Sequence, residues 1–392
     1  MMKHSLIAAA MLLTGSLGPA ALGQQMPAPH LNPAAPWNRA AILAIGEKVA
    51  DYHIAQLAGG SADPRMRAGN HWLLDTRGWE QGAFLIGLTT FADLSGEQRY
   101  TNMILQRGIA NEWKPGDRLY HADDHMIAQT YFWARRHGAG DAAIAPVKAT
   151  FDRILASPST ASLEFDRAAP KCVDRWCWCD AIFMAPASWL EMAKVTGDAR
   201  YRDFAMREFW ATTDYLFDPA EHLYFRDSSF FRERDARGRK RFWSRGNGWV
   251  LAGVARMIPL LPADDPARPK LVSLYRTMAA RLVRLQKPNG FWSPSLLADA
   301  DEYPPESSGT AFFTYGLAWG INNGLLDRAV YLPAVQRGWT ALTRVVHPDG
   351  RLGWVQAIGD QPTSATYDDT HDYAVGAFLL AATEVTRLVP ER

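Results

Sequence analysis

Long uninterrupted apolar runs are missing from this chain. The longest near the start, from Leu6 to Leu13, is too short to cross a bilayer, and no later stretch reaches the roughly 20 apolar residues that a spanning helix needs. Charge of one sign is also missing. Forty-two basic against 41 acidic residues leave a formal net charge of +1, which gives no general attraction to nucleic acid or to an anionic membrane. Cysteine is scarce: Cys172, Cys177 and Cys179 are all there are, and an odd number cannot all pair internally. One disulfide, from Cys172 to either Cys177 or Cys179, would leave one thiol free. No further Cys or His follows at structural-site spacing, so a tetrahedral zinc site is not expected. Nothing implies a cofactor.

What is present begins with Lys3 and His4, the apolar run, and small residues ending in Ala20-Ala21-Leu22-Gly23. That pattern reads as a cleavable export signal over residues 1–23, with a periplasmic or secreted location expected. The remainder, 24–392, exceeds the usual ~100 to 200 residues of one domain, so it needs two domains or one large closed ring or barrel. Aromatic residues make up 11% of the sequence. Flat apolar faces flanked by polar groups suit sugar rings, though they also fill cores.

A repeated unit decides for one domain. Six times a polar cluster leads into an apolar, helix-period run, followed by a turn and a more charged helix. The clusters are Gly78-Trp79-Glu80-Gln81-Gly82, His121-Ala122-Asp123-Asp124-His125, Trp176-Cys177-Trp178-Cys179-Asp180, Arg245-Gly246-Asn247-Gly248-Trp249, Glu306-Ser307-Ser308-Gly309-Thr310 and Asp368-Asp369-Thr370-His371-Asp372. Their spacing of roughly 40 to 70 residues holds two helices and two loops. The themes Gly96-Glu97-Gln98-Arg99-Tyr100 and Gly197-Asp198-Ala199-Arg200-Tyr201 supply a left-handed stop followed by an acidic start.

Runs such as AFFTYGLAWGI are apolar all round and should be buried on every side, whereas the second helices should face solvent. Six inner helices ringed by six outer ones make an all-α (α/α)6 toroid. Gly87, Gly253, Gly316 and Gly376 would let inner helices approach closely. All six clusters then gather at the N-terminal ends of the inner helices, in one mouth where helix dipoles favour an anion. Leu223–Arg226 and Arg241–Ser244 are expected to form a small β-hairpin there.

At these clusters the sequence resembles glycoside hydrolase family 105, the unsaturated rhamnogalacturonyl hydrolases, and more distantly the unsaturated glucuronyl hydrolases of family 88. The resemblance covers essentially the whole chain after the signal. It rests on Trp178-Cys179-Asp180-Ala181-Ile182-Phe183-Met184-Ala185-Pro186, on Trp243-Ser244-Arg245-Gly246-Asn247-Gly248-Trp249, on Glu306-Ser307-Ser308-Gly309, and on Asp368-Asp369 ahead of Val375-Gly376-Ala377-Phe378.

It implies that Asp180 is the catalytic acid/base and that Asp124, or less favourably Asp123, assists it. It implies a uronate subsite lined by Trp243, Arg245, Asn247 and Trp249, with Arg245 meeting the sugar carboxylate. Some members place a histidine on the strand before this motif; here Arg226 stands in that region and would supply the positive charge. Trp178, His125, His371 and Glu306 complete the candidate substrate-binding set. The implied substrate is an unsaturated pectin-derived oligosaccharide, hydrated at the C4=C5 bond of its terminal uronate. Trp176, Trp178, Phe183 and Met184 surround Asp180 in sequence and should desolvate it, raising its pKa. Other products of lyase action, an ordinary two-carboxylate glycosidase on a saturated sugar, and a non-catalytic carbohydrate-binding toroid are the alternatives.

Overall fold

The structure is a computed structural model and describes residues 29–58 and 75–390. The expected export signal lies outside the described residues. Helices in chain order are α1 (Arg39–Ala58), α2 (Trp79–Ser95), α3 (Gln98–Ala110), α4 (Ala122–His125), α5 (Ala128–Ala134), α6 (Ala145–Ala156), α7 (Ala181–Met184), α8 (Pro186–Thr196), α9 (Ala199–Leu216), α10 (Ser244–Met257), α11 (Arg268–Leu285), α12 (Ser307–Asn322), α13 (Arg328–Thr343) and α14 (Asp372–Leu388).

Burial separates them into two layers. In α12 fifteen of sixteen residues are buried, as its apolar composition on every face requires. In α3 only Tyr100, Ile104 and Gly108 are buried, the i, i+4, i+8 stripe of a helix covering a core from outside. Helices α2, α4/α5, α7/α8, α10, α12 and α14 each pack on the next, and α14 packs back on α2, closing a ring. The outer layer is α1, α3, α6, α9, α11 and α13. The sixth inner helix ends near the end of the chain, and its outer cover is α1. The expected (α/α)6 toroid is therefore the observed fold, joined across its two ends.

Close packing of the inner ring depends on glycine. A Cβ on Gly87 would lie 2.2 Å from the carbonyl oxygen of Gly376, and one on Gly376 would lie 2.1 Å from that of Ala83. Helices α2 and α14 thus meet backbone to backbone. Gly96 and Gly197 end α2 and α8 at φ 73° and 71°, and Asp198 caps α9 by accepting from Arg200 N.

Two inner helices are broken near the mouth. Pro186 has no N–H to donate, so the third inner helix divides into α7 and α8 there. The hairpin differs from expectation. Strand β1 (Phe217–Asp218) pairs with β2 (Leu223–Tyr224), and Trp243 bridges to Ser295 instead. The reason is Asn247. Its Oδ1 accepts from Tyr224 N at 2.8 Å and its Nδ2 donates to Tyr224 O at 3.0 Å, so a side chain occupies the edge where a second strand would pair. Among the described residues no helix is long and apolar enough to cross a membrane.

Candidate active site

Six inner-helix N-termini meet at one end of the ring, and Asp180 is the residue immediately before α7. Its side chain is 11% exposed. Oδ2 accepts from the Cys179 thiol at 3.3 Å and lies 4.0 Å from Arg226 Nε. Burial raises the Asp180 pKa above the ordinary carboxyl value; Arg226, the thiol and Arg245 oppose that rise, and the Asp123 charge adds to it. The disulfide joins Cys172 to Cys177, with Cα atoms 5.6 Å apart, and stiffens the loop that presents Asp180. Cys179 is the free, buried thiol.

The two aspartates of the second cluster have different tasks. Both oxygens of Asp124 are engaged by Arg118: Oδ2 accepts from its backbone N at 2.7 Å and Oδ1 from Nε at 2.9 Å. A Cβ on Gly116 would sit 2.4 Å from the same carboxyl, so Asp124 clamps the loop before α4. Asp123 lies 3.6 Å from His121 Nδ1 and 4.0 Å from Arg118 Nη2. Burial pushes its pKa up to about 7, with Arg118 opposing and Asp124 adding. The sequence placed Asp124 ahead of Asp123; the hydrogen bonds leave Asp123 as the carboxyl with capacity to spare.

Two further acids were not singled out from sequence. Glu80, second residue of α2, is 3% exposed, and neither of its carboxylate oxygens has a hydrogen-bond partner among the described residues. Burial pushes its pKa up to about 8, and Asp123 and Asp372 reinforce the shift. Asp372, first residue of α14, is 1% exposed with Oδ1 3.3 Å from His53 Nε2. The available signal was a charged residue in the first turn of an otherwise apolar inner helix.

The cationic side chains also differ from expectation. Arg245 is 1% exposed. Its Nη1 donates to Gln356 O and its Nη2 to Ala357 O, each at 2.8 Å, and its guanidinium is sandwiched between Trp243 and Tyr373 with centroids at 4.4 and 4.6 Å. Both terminal nitrogens therefore hold the 356–357 loop. Trp243 does the same through Nε1 to Gln356 Oε1 at 2.8 Å. Arg226 has fewer partners: Nη1 donates to Asp227 at 2.7 Å and Nε lies 4.0 Å from Asp180, while the Nε of neither arginine has a hydrogen bond among the described residues.

Aromatic rings form one wall of the mouth, with Trp79 and His371 each stacked on Tyr373 at a centroid distance of 5.3 Å. Trp178 contacts the His121 ring at 4.9 Å. Burial lowers His121 and His371 to about 4, so both imidazoles are neutral near pH 7 and can donate and accept at once. Trp249 packs on Phe183, Phe312 and Trp79 and belongs to the core beneath the mouth.

Three other candidates are structural in their contacts. His125 is 1% exposed, with Nε2 on Leu119 O at 2.9 Å and Nδ1 accepting from Trp189 Nε1 at 3.3 Å. Asn247 holds β2. Glu306 accepts from Ser308 N and Gly309 N, each at 2.8 Å, and so caps its own helix α12. Among the described residues no three His, Cys, Asp or Glu side chains are grouped so as to hold a metal ion.

The family model for Glycosyl Hydrolase Family 88 matches residues 45–389. The chain belongs to that family. It is a glycoside hydrolase, as the resemblance implied. An "Unsaturated 3S-rhamnoglycuronyl hydrolase" of Alteromonas sp. is 39% identical, over 87% of this chain and 84% of the relative. A protein of the same name from Formosa agariphila is 37% identical, over 79% of this chain and 84% of the relative. The structure of a family 88 glycosyl hydrolase from Bacteroides vulgatus superposes with a TM-score of 0.77 at 27% identity, covering 90% of this chain and 100% of that one.

Proposed function

We propose that this hydrolase removes an unsaturated uronic acid from the non-reducing end of rhamnose-containing oligosaccharides, by hydrating the C4=C5 vinyl ether with Asp180 as acid and base. The observation that carries the reading is the burial of the carboxyl groups at the mouth, with Asp180 at 7% and Glu80 at 3% exposure. Asp180, Asp123 and Glu80 are all shifted upward, chiefly by burial. A vinyl ether needs a carboxylic acid to start the reaction, whereas a retaining glycosidase needs an ionised carboxylate as nucleophile.

Asp180 gives its proton to C4, and the ring oxygen shares the positive charge that develops at C5. Water adds to C5 and returns a proton to Asp180. The hemiketal so formed opens at its ring oxygen, and C1 then releases the neighbouring sugar. In this reading Arg226 faces the uronate carboxylate, Asp123 positions water or a ring hydroxyl, and the neutral His121 and His371 bind hydroxyls.

The double bond bears on specificity. It erases the C4 stereocentre, so galacturonate and glucuronate yield the same unsaturated residue. Selectivity must then be exercised on the leaving sugar, and rhamnose is the component in the names of the two relatives. Rhamnogalacturonan fragments are thus candidate substrates. Export is also proposed, supported by the Cys172–Cys177 disulfide, a bond that persists in oxidising compartments.

The test is loss of the ultraviolet absorbance of the conjugated C4=C5 carboxylate, on lyase-generated rhamnogalacturonan and glycosaminoglycan fragments, with Asp180→Asn beside wild type. Decay with wild type alone, on the rhamnose-containing substrate, is expected. A folded wild type that bleaches neither substrate would defeat the hydration mechanism.

A further inference from the structure

The catalytic carboxyl has two oxygens, and only one can deliver a proton to C4 from a given pose. The surroundings of Asp180 treat them differently. Oδ2 accepts the Cys179 thiol at 3.3 Å and has Arg226 Nε at 4.0 Å. No hydrogen bond among the described residues reaches Oδ1. We propose that Cys179 is a positioning residue for the general acid: its thiol reserves Oδ2 as an acceptor, so that the transferred proton resides on Oδ1.

The thiol is built in. Cys179 is fully buried, and its backbone N donates to Arg226 O at 2.8 Å, tying it to the residue on the other side of Asp180. A Cβ on Gly246 would lie 3.0 Å from Cys179 Sγ, so the side chain is wedged against the first turn of α10. Cys177, two residues earlier, is committed to Cys172. Burial raises the thiol well above its ordinary pKa, with the Asp180 charge adding, so the sulfur remains an S–H donor throughout the working pH range. A thiolate there would repel the ionised carboxylate; a thiol orients it.

The consequence for titration has a definite sign. A donor to the charged form favours that form, and the thiol acts on Asp180 in the same downward direction as Arg226 from the β2 side and Arg245 from α10, against burial and the Asp123 charge from α4. Removing the thiol therefore moves Asp180 to higher pKa. Activity requires the protonated acid, so the alkaline limb of the pH profile moves to higher pH while kcat falls, because the carboxyl loses the hydrogen bond that fixes its orientation and the placement of its proton. A cavity alone would lower kcat and thermal stability without displacing the limb.

This rests on Asp180 being the acid, and the experiment separates the two ideas. Wild type, Cys179→Ala, Cys179→Ser and Asp180→Asn are compared by pH–rate profiles and by the 13C shift of the Asp180 carboxyl, which needs no turnover. For Cys179→Ala the expected results are a kcat lower by roughly threefold to tenfold, the worth of one hydrogen bond, an unchanged KM, and a carboxyl titration and alkaline limb both displaced upward. Cys179→Ser, keeping a donor, should recover most of kcat and bring the limb back. An alanine variant whose carboxyl titrates as in wild type overturns the proposal; if that variant does not fold, a serine variant whose carboxyl titrates upward does so. Activity in Asp180→Asn would instead remove the reading beneath it.

Discussion

Replacing Glu80 with glutamine should stabilise the protein, and by an amount that depends on pH. Glu80 is 3% exposed, with its ordinary value of 4.5 pushed up to about 8. Between those two values the folded state holds a proton that the unfolded state has released, so stability falls as pH rises from 4.5 and levels off above 8. The difference is 3.5 units, and at 1.36 kcal/mol per unit the cost at pH 8 is about 5 kcal/mol as an upper figure. Glutamine cannot ionise and avoids it. With an unfolding entropy of about 2.1 cal/mol/K per residue, a gain of roughly 3 to 5 kcal/mol raises Tm by about 4 to 7 °C for a chain of this size. Calorimetry of wild type and Glu80→Gln from pH 5 to pH 8.5 would read it. The curves should nearly coincide at pH 5 and separate progressively above. A difference independent of pH, or a less stable variant at pH 8, would refute the assignment of a neutral Glu80.

Asp123→Asn should, by the same linkage, raise Tm above pH 7 and leave it nearly unchanged near pH 4, and it should lower kcat by roughly a hundredfold if Asp123 positions water for Asp180, as assayed by vinyl-ether bleaching. Asp124→Asn should instead lose roughly 1 to 3 kcal/mol of stability in denaturant unfolding, because it releases charged hydrogen bonds to Arg118. Gly87→Ala would drive a methyl to 2.2 Å from a carbonyl oxygen with no flexible side chain to yield. A loss of about 3 kcal/mol or more is expected by chemical denaturation, at the upper end of what overpacking costs.

The ring was legible because its signal is periodic and redundant. Each inner run, such as Ser307–Asn322, is apolar on every face, and each outer run, such as Gln98–Ala110, buries a single stripe. What the sequence could not show was the closure by α1, because its twenty residues precede the first repeated cluster and pack on a helix at the other end of the chain. The hairpin was misjudged for a related reason. Strand-like composition identified Leu223–Arg226, but its partner on one edge is the amide of Asn247, a residue more than twenty positions later.

In the site, residue type indicated where the chemistry lies but not how each donor and acceptor is used. Arg245 and Arg226 look equivalent as cations; only the carbonyls of Gln356 and Ala357 show that the first is occupied with a loop. Asp123 and Asp124 are adjacent and identical, and helical geometry turns their side chains about 100° apart, one to Arg118 and one to the mouth. The clusters combine caps, clamps and reactive groups because all three need the same place, the open N–H groups of a helix start. Glu306 and Asp180 illustrate the division. Both sit just before an inner helix, yet Glu306 accepts the N–H groups of its own first turn and is bound as a cap. Asp180 makes no such cap, and instead accepts a buried thiol. An acid that caps a helix has its oxygens committed to those donors; one withdrawn from them in an apolar cage can keep its proton for the substrate.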